Sequence, residues 1–182
     1  MTVTGALIMG FFATVWWVVG LWAAGHGPAL LYPVPLVVAA ALGSAAWYVV
    51  RHGGAAPNEA DMAEEARRGR LVGWASAAEG LAIFVAANVL GNSGHRDAIA
   101  PVIALIVGAH FIPLARGLPA PAYYATAVAL AALGLAGLGV TDLSTRLTLV
   151  SAGAAGVLWL TSASALHRAW RPRTPGFRSP TP

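Results

Sequence analysis

Six apolar runs, each 18 to 22 residues long, occupy most of the sequence and leave one class of fold open to it. A helix rises about 1.5 Å per residue, so roughly 20 apolar residues cross a hydrocarbon core of about 30 Å. The runs Ala6 to Ala24, Ala29 to Val50, Leu71 to Leu90, Ala98 to Ala115, Ala122 to Val140 and Leu147 to Leu166 all have that length. They are too long, and too little alternating, for the strands of a membrane barrel. Charged residues make up 10% of the chain against 58% hydrophobic, with mean hydropathy +0.69, where a soluble domain carries about a quarter charged residues. The expected fold is all-α: an integral membrane bundle of six transmembrane helices over residues 1–170, followed by an Arg/Pro-rich tail, 171–182, expected to be disordered and cytoplasmic.

The few charges are sorted by side. All 11 basic residues are Arg, and alternating spans place nine of them on one face: Arg51, Arg67, Arg68, Arg70, Arg116, Arg168, Arg171, Arg173 and Arg178. Arg96 and Arg146 alone fall on the other. Under the positive-inside rule both termini are cytoplasmic. The net charge of +4 thus reads as a topology signal, and nucleic acid is not an expected partner. Arg in place of Lys, with abundant Ala and Gly, suits a high-GC bacterial genome, hence a multi-pass protein of the bacterial cytoplasmic membrane. The chain has no Cys, which removes disulfides, thiolate metal sites and cysteine nucleophiles. The first run lacks a basic residue ahead of it and is read as an uncleaved helix rather than a secretory signal.

Trp22, Tyr32, Trp47, Tyr48, Trp74, Tyr123 and Tyr124 fall near span ends, where amphipathic rings favour headgroups. Trp16 and Trp159 fall deeper, as packing or cavity-lining residues. Between the second and third spans, residues 57–70 read PNEADMAEEARRGR. Asn58 is placed to cap, acids occupy the early turns and Arg the late ones, and Glu64 is spaced to meet Arg67 or Arg68. The pattern predicts a short cytoplasmic helix leading into the third span.

Glu79 is the one acid inside a span. A carboxyl group in hydrocarbon costs a few kcal/mol even on the milder insertion scale, so it needs a partner or a task. It lies eight residues past Leu71, about 12 Å in from the cytoplasmic side. His110 lies five residues before Ala115, about 7–8 Å from the same side on the returning span. The short loop between these spans makes them antiparallel neighbours, and the depth difference of about 5 Å is one that two long side chains or one water can bridge. Glu79 and His110 are therefore the candidate proton-transfer or substrate-binding pair, with helix-packing glue as the plain alternative.

The other polar residues say less. Asn88 lies about 180° around its helix from Glu79, and with Trp16 and Trp159 completes the candidate substrate-binding set. Thr14, Ser151, Thr161, Ser162 and Ser164 can bond their own helix backbones. His26, His95, Asp97 and Asp142 come from three outer loops without ligand spacing, so no metal or other cofactor is expected. Gly134, Gly137, Gly139, Gly153 and Gly156 are read as sites of close helix contact. Pro33, Pro35 and Pro101 mark helix starts, and Pro113 is placed to bend the fourth span. Three spans on each side of the 91–97 loop would permit an inverted repeat, although the halves share no residue pattern.

Over AEGLAIFVAAN at 78–88 and ALIVGAHFIPLAR at 104–116 the chain resembles small bacterial membrane proteins classed as domains of unknown function. The resemblance covers about a third of the chain, implies a compact helical membrane domain and carries no activity with it. The residues themselves favour a polar midmembrane site in a lipid-embedded bundle, monomeric or oligomeric, with proton-coupled transport of a small solute or cation as the leading expectation. An enzyme using Glu79 as general acid on a lipophilic isoprenoid or terpenoid substrate, and a structural membrane scaffold, are the alternatives.

Overall fold

The structure is a computed structural model that describes residues 3–25, 31–52, 59–118 and 120–170. Among these residues six helices are long and apolar enough to cross a membrane, and there is no strand. They are α1 (Val3–Ala23), α2 (Val34–His52), α3 (Glu59–Asn92), α4 (Ile99–Gly117), α5 (Ala122–Gly139) and α6 (Leu143–Trp170). A 3-10 turn, Arg96–Ala98, leads into α4. Residues 171–182 and the capping residue Asn58 lie outside the described residues.

The bundle is organised around α6, which packs against α1, α2, α4 and α5. Its longest seam is with α1, and small residues at a seven-residue spacing build it. Ala6, Ala13 and Gly20 on α1 and Ser151, Leu158 and Ala165 on α6 are all buried. The two helices run antiparallel: Ala6 clusters with Ala165, while a methyl group at Gly20 would stand 3.2 Å from the Ser151 Cβ. Lipid tails are as apolar as Leu, so helices associate in hydrocarbon through close van der Waals fit, which small side chains permit.

Glycine works the same way between α4, α5 and α6. A Cβ on Gly134 would meet the Pro101 carbonyl oxygen and Leu105 Cγ at 2.7 Å, and one on Gly108 would meet the Ala127 carbonyl oxygen at 3.0 Å. Gly137 abuts Val150, and Gly153 would put a methyl 2.7 Å from Leu133. Gly139 and Gly156, expected to share this role, have open space around them because they face away from their neighbours. The α4–α5 packing is far more extensive than that of its counterpart, α1 on α2, so among the described residues the two halves pack differently.

One sequence expectation differs from the observed helices. The polar segment before the third span is not a separate short helix: α3 runs unbroken for 34 residues, from Glu59 through Arg70 into the apolar run. Glu64 pairs with both Arg67 and Arg68, each at 3.0 Å. In the fourth span, α4 continues through Pro113 to Gly117. The outward surface is studded with large apolar side chains, among them Trp74 and Phe84 of α3, Leu36 of α2, Val128 of α5 and Leu160 of α6. Such a surface invites aggregation in water and is compatible with acyl chains.

Candidate functional site

The third helix sits at the edge of the bundle and packs chiefly on α4. Leu71, Ala75, Glu79, Ile83, Ala87 and Leu90 recur every three to four residues and are among the half-buried positions of α3, whereas Val72, Trp74, Leu81 and Phe84 are exposed. Glu79 thus belongs to the stripe turned towards α4. His110 comes from α4, next to Phe111, which is buried and packs edge-on against Tyr123 of α5 at 5.3 Å between ring centres. That buried aromatic contact fixes the α4 turn carrying the imidazole.

Across this seam His110 Nδ1 stands 3.6 Å from Glu79 Oε2, with the His110 side chain 10% exposed and the Glu79 side chain 20%. The separation is within ion-pair reach but longer than a hydrogen bond. Nδ1 is buried and has no hydrogen-bond partner, while the Ala75 backbone, one turn before Glu79, is a further polar neighbour of the imidazole. A small side-chain rotation closes the gap, and the carboxyl and imidazole can then share or exchange one proton.

The remaining candidates have other partners. Trp159 meets Trp17 of α1 in a tilted ring contact at 5.4 Å, its Nε1 buried without a partner, and Trp16 packs beside Ala104 and Val150; both border the buried cluster that contains Phe111. Asn88 is exposed and donates through Nδ2 to the Phe84 carbonyl oxygen at 2.8 Å, bonding its own helix. Thr14 and Thr161 likewise donate to the carbonyls four residues earlier, and Ser164 to the Thr161 carbonyl. Ser151 and Ser162 are fully buried, and their hydroxyls have no partner.

The loops that lead into α4 and α6 hold their carboxylates by local contacts. Asp142 Oδ2 accepts the Thr145 backbone N–H at 2.7 Å and caps α6, which holds its carboxyl below the usual aspartate value. The Asp97 carboxylate is held by Arg146, and His95 Nδ1 lies 3.1 Å from Ser93 Oγ. His26 is outside the described residues. Among the described residues no three metal-ligating side chains come together.

Two contacts escaped the sequence reading. Arg146, 8% exposed, donates to the Val140 carbonyl at 2.7 Å and the Asp97 carbonyl at 3.1 Å besides its ion pair. Its signal was that it is one of only two Arg outside the basic face. Thr126 and Thr161 meet in the interior, Oγ1 to Oγ1 at 2.7 Å, joining α5 to α6; nothing in their local sequence marks that meeting. No protein family, curated protein or solved structure matches the chain.

Proposed function

We propose that the chain is a six-span protein of the bacterial cytoplasmic membrane, with both termini inside. In it Glu79 and His110 form a midmembrane proton-exchange site that drives movement of a small solute or cation. The nine-to-two division of Arg supports the orientation. The 3.6 Å approach of an acid and an imidazole from neighbouring helices carries the functional reading. Intramembrane acids and imidazoles mark proton relays and ion pathways, because their cost in hydrocarbon is met by a task. An acid and an imidazole this close can pass one proton between them, which a static packing role does not need.

The test is proton flux in proteoliposomes containing a trapped pH dye, with sodium, potassium and tetraphenylphosphonium added in turn across an imposed pH gradient. Wild-type protein moves protons when the coupled ion is supplied, and Glu79→Gln lowers that flux by about tenfold or more, since an amide cannot carry a proton through the cycle. Equal flux from the wild type and Glu79→Gln, or none from the wild type with any of the three ions, overturns the reading.

A further inference from the structure

A groove of about 470 Å³ opens between α2 and α6, away from the Glu79–His110 pair. Leu42, Ala45 and Val49 of α2 and Ala163 and Leu166 of α6 line it, and Tyr48 and His167 supply its polar atoms. Its floor is the buried cluster of Ala6, Leu42, Ala46, Ala165 and Leu166, so the groove lies over packed protein. It exists because α2 and α6 offer Ala on facing turns where Leu or Phe would have filled the space.

Charge is distributed one-sidedly around it. Neither α2 nor α6 contains an Asp or Glu. Arg51 follows Tyr48 by three residues near the end of α2, whereas the charge of Arg168 acts on Tyr123 of α5, on another side of α6. The Arg51 guanidinium lies over the Trp47 ring at 4.6 Å, on an exposed indole suited to headgroup depth. An apolar channel with Tyr and His at one end, and Arg beyond them, matches an amphiphile with a hydrocarbon tail and a negative head. Basic pockets between transmembrane helices select anionic headgroups on this principle.

We infer that the α2–α6 groove is a binding site for one anionic glycerophospholipid, its acyl chain along Ala45 and Ala163 and its phosphate at the Tyr48–His167 end. The site is independent of the proton-exchange reading, because no residue of the groove belongs to the Glu79–His110 pair.

Native mass spectrometry of the detergent-purified full chain, titrated with phosphatidylglycerol or phosphatidylcholine, tests this. The wild type retains one phosphatidylglycerol with an affinity at least about fivefold above that for phosphatidylcholine. Ala45→Trp fills the groove and abolishes the selective adduct. Arg51→Gln, an exposed change that leaves the groove lining intact, keeps lipid binding but reduces the preference for phosphatidylglycerol. Equal retention of the two lipids by the wild type overturns the inference. So does a selective adduct that survives both substitutions, or an adduct whose mass belongs to a different ligand.

Discussion

Arg146 of α6 holds Asp97, at the entrance to α4, by the carboxylate and by the backbone carbonyl together, although 49 residues separate them. A third bond to the Val140 carbonyl draws the end of α5 into the same clamp. One guanidinium therefore ties three helices at one end of the bundle, and its planar set of donors suits it for that work better than an ammonium would.

Arg146→Met removes all three bonds and leaves two loop carbonyls to find other donors. The thermal midpoint in detergent falls by about 5 °C or more, and Asp97→Asn, which spares the carbonyl contacts, costs less. Differential scanning fluorimetry of the two variants checks the order.

Six helices were legible in the sequence because apolar run length is set by bilayer thickness, and the proximity of Glu79 and His110 followed from depth along antiparallel helices. The Arg146 clamp was not legible, since it joins loops by tertiary contact alone. Nor was the continuity of α3: a polar-to-apolar change near Leu71 marks a change of solvent, whereas ending a helix needs a breaker, and Gly69 does not act as one here. Gly139 and Gly156 show a further limit, because sequence locates a glycine without the rotation of its helix against a neighbour.

Helix rotation gives paired outcomes for glycine. Gly134→Ala forces a methyl into the Pro101 carbonyl and Leu105, and costs about 1–3 kcal/mol. Gly156→Ala enters open space and gains up to about 1 kcal/mol from the reduced backbone freedom of the unfolded chain. Reversible unfolding in mixed micelles measures both, and opposite signs are expected.

The Thr126–Thr161 contact has two hydroxyl protons and four acceptors within reach, the two hydroxyl oxygens and the Ala122 and Val157 carbonyls. Either threonine can fall back on its own helix. Thr126→Val therefore costs only about 0.6 kcal/mol, the usual scale for interhelical hydrogen bonds in membranes, and a double-mutant cycle with Thr161→Val gives a coupling no larger.

Asp142 provides the pH-dependent cap. Its carboxyl is held below the ordinary value of 3.8, by the Thr145 backbone N–H first and the Thr145 side chain next. A lowered pKa adds stability above the unfolded value, and that increment is lost as pH falls through the folded one. Acid titration of the thermal midpoint thus shows a decline below about pH 4 that Asp142→Asn reduces, since Asn caps without titrating. Asp142→Ala lowers the midpoint at neutral pH by about 2–4 °C.

Glu79 and His110 are proposed to work as one proton-exchanging unit. Proton flux in proteoliposomes from the wild type, Glu79→Gln, His110→Gln and the double variant tests it most directly. Residues that act as a unit are strongly non-additive, so the double variant should lose no more flux than Glu79→Gln alone. Losses that multiply across the two sites, or a double variant as active as the wild type, would contradict the account.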